Sequence, residues 1–417
     1  MSAALGSINV VFWGILTFSI LVVLHEGGHF LAARAFGVKV HEFMIGLPGP
    51  ALRLQTKNMT WGITAIPLGG YVRIAGMEPG VEDELLGPAL RAIATAGRMD
   101  AADLSRVLMV PRERAAALLT TLEDWAAIVA VDATAFEPVA TVDRDADAKE
   151  MIDAARSITY RGLKTWKRIV VLVSGVAVNL LTAILTFTIV LSVFGTYQAS
   201  MQFATVQPDS PAAAAGLLAG DQLVSLDGTK ISSWDEFLAT MGKTSPGDSI
   251  AIGVTSNDVA RTLTVTLGER DGHGFLGVSP GVEKVRYSVA RAAGQAFIFT
   301  GMVFGAIVNF FNPSTFSESV QQSRGIVGIS VMAADAAKAG ALDYAWLIAL
   351  LSLSLGVMNI LPIPPLDGGK IALEIIERIA GRPFGRRLSL GLSAAGAILL
   401  FSLIGYLMYA DVARLVQ

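Results

Sequence analysis

His25-Glu26-Gly27-Gly28-His29 carries the residue types of a hydrolytic zinc site, inside a stretch (residues 8–33) that is otherwise almost wholly apolar. On a helix, positions i and i+4 differ by about 40° of rotation, so both imidazoles project from one face. They supply two of the three protein ligands that a catalytic zinc takes. The carboxylate between them is placed to take a proton from water and return it to a leaving amine. Ionisable side chains at bilayer depth cost a few kcal/mol each, so they mark function by default. The chain has four histidines in all, and two of them fall in this motif. Gly27 and Gly28 lack bulk, which lets another helix or a substrate backbone come close.

A third ligand must come from elsewhere. His41 lies just past the apolar stretch and His273 lies far along the chain. Asp367 is the only carboxylate between Tyr344 and Ile371, and it follows Pro362-Ile363-Pro364-Pro365. Carboxylate oxygen is a normal zinc ligand. The chain has no cysteine, which excludes thiolate ligands and disulfides.

The elements that must position these groups read as membrane helices. Of 417 residues, 53% are apolar and 16% charged, and the net charge of −3 points to no nucleic-acid partner. Residues 8–33, 169–194 and 388–410 are each long enough to cross a bilayer, which takes about 20 helical residues. Residues 345–361 form a shorter run that meets the prolines and resumes at Ile371. Helix-breaking prolines at that depth are tolerated where backbone lines a cavity, so this is expected to be a broken span. No Lys or Arg precedes the first run, which argues that it is retained rather than cleaved as a signal peptide.

Residues 34–168 hold 17 of the 32 Lys and Arg, with a tight cluster at Arg161, Lys164, Lys167 and Arg168. Lys370, Arg378, Arg382, Arg386 and Arg387 crowd the link before the last span. The positive-inside rule then puts both connections in the cytosol, and both termini and the central soluble domain outside. That places Asp367 and His25 toward the same side. Residues 292–311 are uncharged and 20 long; a span there would reverse everything after it, and an interfacial, membrane-associated segment is expected instead.

Residues 38–77 alternate apolar and polar residues between Gly and Pro turns, the pattern of short strands. The stretch 78–161 is rich in Ala, Asp and Glu and reads as a helical insert. Two amphipathic helices around Pro111 and a possible strand pair follow a winged-helix order. Acidic residues surround Arg112 and Arg114, so a packing or protein-partner role is expected rather than DNA binding. Residues 202–280 read as a compact domain of short strands.

These residues carry a resemblance to the site-2 protease family, polytopic zinc metalloproteases that cut within the membrane. His25 to His29 matches the family's HExxH. Asn359 to Gly368 matches its NxxPxxxLDG. Both fall on spans, in the family's order, and the resemblance covers most of the chain outside 80–160. It implies that His25, His29 and Asp367 bind Zn2+ and that Glu26 is the base. Pro67 to Arg73, with Gly69-Gly70, resembles the membrane-reentrant β element of the family, whose edge is thought to pair with unwound substrate; a plain hairpin turn is the alternative. Gly175 to Asn179 resembles the family's GPxxN with Val176 in place of proline. Asn179 and Asn359 are therefore candidates to bind a substrate backbone, with interhelical packing as the alternative. Residues 325–329 resemble another family segment, again with Val for proline. Ser210-Pro211, Gly216-Leu217, Gly220-Asp221 and Leu226-Asp227-Gly228 resemble one bacterial PDZ domain, which binds peptide ends by strand addition or acts as a steric gate.

The expected architecture is a polytopic α-helical membrane protein of about four transmembrane helices, with a cytosolic-side β element, a helical insert and one extracytoplasmic PDZ domain. Its parts are a first transmembrane helix with HExxH (1–36), the β element (37–79), the insert (80–165), a second span (166–195), the PDZ domain (196–284), an interfacial segment (285–343), a broken third span with the LDG motif (344–380) and a fourth span (386–411). The expected activity is zinc-dependent endoproteolysis of single-span membrane proteins in a bacterial inner membrane. By resemblance, anti-sigma factors or signal-peptide remnants are the expected targets of such regulated proteolysis. A non-catalytic PDZ-containing adaptor is the alternative, with the insert as a further partner site. A zinc transporter or sensor would need the ligands but no base at Glu26.

Overall fold

The computed structural model describes residues 2–416 apart from 57–58, 68, 78–82, 133, 140–141, 144, 311 and 383, so Leu68 of the Pro67–Arg73 motif lies outside the described residues. The chain divides into two units, Met1–Phe187 with Ala293–Gln417, and Thr188–Ala292.

The first unit opens on α1 (Ser2–Ala35), apolar on all sides, as a helix in lipid must be. Four strands follow: β1 (Val40–Ile45), β2 (Ala51–Gln55), β3 (Thr60–Thr64) and β4 (Gly70–Ile74). They form one sheet in the order β2-β3-β1-β4, with β1 parallel to β3 and antiparallel to β4. β4 is therefore an edge strand. It runs beside α1: Ser19 Oγ donates to the Pro67 carbonyl (2.7 Å), and a Cβ on Gly70 would lie 3.4 Å from Val22. Leu52 (84% exposed), Leu54 and Ile63 stand out from the sheet, and with Gly27 and Phe30 of α1 they line an apolar cavity of about 710 Å³. Such surface is costly in water and suited to lipid.

The insert comprises α2 (Leu86–Ala96), β5 (Met99–Asp100), α3 (Ala101–Leu108), α4 (Arg112–Asp124), β6 (Ile128–Ala130), β7 (Ala135–Pro138) and α5 (Ala148–Ser157). The strands form a small sheet in the order β5-β7-β6. Helix, strand, helix, helix and a two-stranded wing is the winged-helix order, so the region is less purely helical than its composition implies. Asp100 caps α3 by accepting from Ala102 and Asp103 N–H, and Asp147 with Glu150 forms a capping box on α5. Leu90, Ile93, Leu104, Leu118, Leu122 and Trp125 fill its core.

α6 (Thr165–Ile189) enters the second unit, which holds β8 (Thr196–Val206), α7 (Pro211–Ala214), β9 (Gln222–Leu226), β10 (Thr229–Lys230), α8 (Trp234–Met241), β11 (Ser249–Ser256), β12 (Val259–Thr266), β13 (Gly268–Arg270), β14 (His273–Phe275) and β15 (Val278–Val285). Its main sheet runs β12-β11-β9-β8-β15, with β10 on β9 and a separate β13-β14 hairpin. Phe203, Leu226, Phe237, Ile252 and Val265 meet in its core. Ser210 and Ser233 cap its two helices.

The chain returns through α9 (Val289–Phe310), α10 (Phe316–Gln322), α11 (Ile326–Ala339), α12 (Ala341–Ile360), α13 (Asp367–Ala380) and α14 (Arg386–Val416). Among the described residues, five helices, including α9, are long and apolar enough to cross a membrane. Thr17 Oγ1 lies 2.9 Å from Tyr344 Oη near the start of α12, while His25 and His29 lie beside Asp367, just past its end. α1 and α12 thus run the same way. α6 runs against them, with Val171 at His29, Asn179 at His25 and Phe187 stacked edge-on to Trp346 (4.7 Å). Phe299 of α9 packs on both Phe187 and Trp346. Asp411 of α14 is buried and accepts from Gly328 N–H (2.8 Å) in the first turn of α11, where an anion meets the positive end of the helix dipole.

Candidate metal centre

α1 presents His25 and His29 one turn apart, and α13 begins on Asp367. All three side chains are buried, and their candidate ligand atoms lie within 4.8 Å of one another. Each imidazole Nε2 is 3.0 Å from Asp367 Oδ2, and the two Nε2 atoms are 3.3 Å apart. Tetrahedral zinc with ligand bonds near 2.0–2.1 Å sets its ligand atoms about 3.3–3.4 Å apart, close to this triangle.

The outer nitrogens strengthen the fit. His29 Nδ1 lies 2.7 Å from the Val171 carbonyl, which can only accept, so Nδ1 carries the hydrogen. In the neutral ring, Nε2 then points a lone pair at a carboxylate oxygen, an arrangement that calls for a cation between them. Behind His25, the Asn179 amide lies 3.3 Å from Nδ1, and its Oδ1 is buried without a partner. Turning the amide over puts that oxygen on the Nδ1–H of a metal-binding His25. Lys370 donates to the outer oxygen of Asp367 (3.3 Å).

Close helix contact makes this possible. A Cβ on Gly175 would fall 2.4 Å from His29 Nε2, and one on Gly28 would fall 2.4 Å from the Ser174 carbonyl. Gly368 is equally confined: a Cβ there would meet the Ile360 carbonyl at 2.1 Å.

Glu26, next to His25 on α1, meets β4, where Val72 N–H donates to its Oε2 (3.1 Å). Gly70 lies two residues along the same strand, and Gly69 makes the turn before it at φ +87. Asn359 turns its amide back onto the Leu355 carbonyl (3.0 Å) of its own helix. His41 is drawn away from the metal ligands: its Nε2–H donates to the Asp124 carbonyl (2.6 Å). Sequence reasoning missed Val72, Val171 and Lys370. The first two act through main-chain atoms, which leave no mark on residue type.

A buried His-His-Asp triangle beside a carboxylate, carried on apolar helices, defines a membrane metallohydrolase. The sequence profile of peptidase family M50 matches residues 13–403, and the chain belongs to that family. It is 28% identical to a Streptococcus pneumoniae protein that bears the name of a zinc metalloprotease, over 96% of this chain and 98% of the relative. It is 31% identical to the Enterococcus faecalis protein eep, named as a protease, over 88% of this chain and 90% of that one. A Listeria monocytogenes PDZ-domain structure aligns with 20% of this chain and 87% of its own, at 25% identity and a TM-score of 0.19 that by itself defines no shared fold. The protein is a zinc metalloprotease of the membrane.

Proposed function

We propose that the protein cleaves single-span membrane proteins inside the bilayer, with Glu26 as general base and acid. The observation that carries this is the joint burial of His25, His29 and Asp367, with Glu26 next to His25 on the same apolar helix. Zinc, when bound, lowers the pKa of water toward about 7 and polarises a carbonyl. Glu26 would take a proton from the attacking water as its oxygen bonds to the substrate carbonyl carbon, and would give it to the amine as the C–N bond breaks. Asn179, the Val171 carbonyl and Lys370 hold the ligands in place.

A helical substrate shields its carbonyls, so it must unwind to be cut. The outward-facing main-chain groups of β4, at Gly70 and Val72, offer a strand to pair with. Val72 N–H is held by Glu26 in the free protein. A substrate carbonyl that takes over this N–H releases the base as it binds.

Four crossings fit the contacts better than five. α1 and α12 run the same way and α6 runs against them, so the chain between α6 and α12 crosses an even number of times. If α9 crossed, α11 would have to return, and its 14 residues fall short of the roughly 20 required. α9 is then a membrane-associated helix beside α6 and α12. Charge placement puts the insert and the 370–387 link in the cytosol of a bacterial inner-membrane protein, with both termini and the Thr188–Ala292 unit outside. That unit is assigned as the PDZ domain on its sequence motifs. Targets already trimmed outside, such as anti-sigma factors or signal-peptide remnants, suit this arrangement for regulated proteolysis.

The test is reconstitution in liposomes with a tagged single-span substrate, followed by mass spectrometry of the products. Cuts within the apolar segment support the reading. Cuts confined to the flanking soluble regions contradict it.

A further inference from the structure

Asp124 is the last residue of α4 and is nearly buried (8% exposed). The C-terminal end of a helix carries partial negative charge, and burial strips water from a carboxylate, so this group is opposed twice. Its side-chain partners among the described residues lie outside the insert. Gly76 N–H, two residues past β4, donates to Oδ2 (2.8 Å). Arg73 of β4 places Nε 3.8 Å from Oδ1 and reaches Glu42 of β1 (3.6 Å). His41 of β1 donates to the main-chain carbonyl of the same residue and lies 4.0 Å from Oδ1. One residue of the insert thus grips both β1 and β4, while the edge of β4 away from β1 holds Glu26 through Val72. The insert is tied to the same strands a second time, by Tyr160 N–H to the Ala75 carbonyl and Lys39 N–H to the Ile158 carbonyl, both 2.8 Å. Those main-chain bonds do not depend on the side chain at 124.

We propose that Asp124 is a positioning residue for substrate: through it the insert sets where the free edge of β4 stands relative to Glu26. It touches neither metal nor substrate and acts through the strand, so this inference rests on β4 being the strand that substrate joins.

The test uses the full-length protein in liposomes, with kcat, KM and zinc content measured separately for Asp124→Ala, Asp124→Asn and Arg73→Gln. Asp124→Ala raises KM about tenfold, the scale of one buried N–H left without its acceptor, while kcat and zinc content stay near wild type. Asp124→Asn still accepts from Gly76 and recovers part of the loss. Arg73→Gln, at a half-exposed side chain, raises KM about threefold. An unchanged KM in Asp124→Ala or Arg73→Gln overturns the proposal, as does a fall in zinc content that accounts for the lost activity. Should Asp124→Ala fail to fold, the isosteric Asp124→Asn and the surface variant Arg73→Gln decide. A substrate carrying proline beside the scissile bond separates the two readings. If proline raises KM on the wild type while the Asp124 variants are neutral, only the role of Asp124 fails. If proline has no effect, strand pairing itself fails.

Discussion

Gly175 and Asn179, one turn apart on α6, serve the two histidines in different ways. Gly175 leaves room for His29, and Asn179 orients His25. Gly175→Ala puts a methyl group 2.4 Å from His29 Nε2, so the ring or the helix must shift. Competition with a calibrated chelator is expected to show zinc affinity reduced by about 10- to 100-fold in Asn179→Ala, the usual cost of losing a partner behind a ligand. Asp367→Ala, which removes a ligand, should leave the purified protein largely without zinc by elemental analysis. Normal occupancy in Asp367→Ala would remove it from the ligand set. HExxH was readable as chemistry because imidazole and carboxylate are so out of place in an apolar run. Asp367 was readable for the same reason. The Gly175-to-Asn179 spacing was visible, but its service to the histidines was not, because contact between α1 and α6 is set by packing across 150 residues of chain.

At the scale of elements, the insert and the β-sheet show where sequence patterns run out. Alternation marked 38–77 as strands, yet the parallel pairing of β1 with β3 and the edge position of β4 depend on register, which composition does not encode. In the insert the caps were local and the core was amphipathic, but two- to four-residue strands are too short to leave a period-2 signal. Its fifteen acidic against eight basic residues over 80–160 do not favour a nucleic-acid ligand, despite the winged-helix order. The caps make its acid response predictable. Glu150 N–H donates to Asp147 and holds that carboxyl below its ordinary value; the Arg114 guanidinium does the same for Asp83. A pKa lowered by folding contributes stability above the unfolded value, near 4, and loses it as pH falls through the folded one. Hydrogen exchange is expected to show amide protection in the first turn of α5 constant from pH 7 to about 4 and falling below that. In Asp147→Ala protection is already reduced at pH 7. If the variant and the wild type exchange alike there, the cap contributes nothing.

At the scale of the whole molecule, the direction of each helix decides whether His25 and Asp367 can meet. The chain lacks cysteine, so single cysteines report topology cleanly. With four crossings, probes at Asn257 and Ser314 react from one side of the membrane and a probe at Met109 reacts from the other. Labelling of Ser314 from the Met109 side would make α9 a fifth span. Glu26 is proposed to do chemistry beside a metal that other residues hold. The most direct test is Glu26→Gln in the zinc-loaded, full-length protein, reading zinc content and cleavage of a single-span substrate together. Zinc retained at the wild-type level with cleavage reduced by at least about 10²-fold is the expected result. Cleavage at the wild-type rate would mean that Glu26 is not the base.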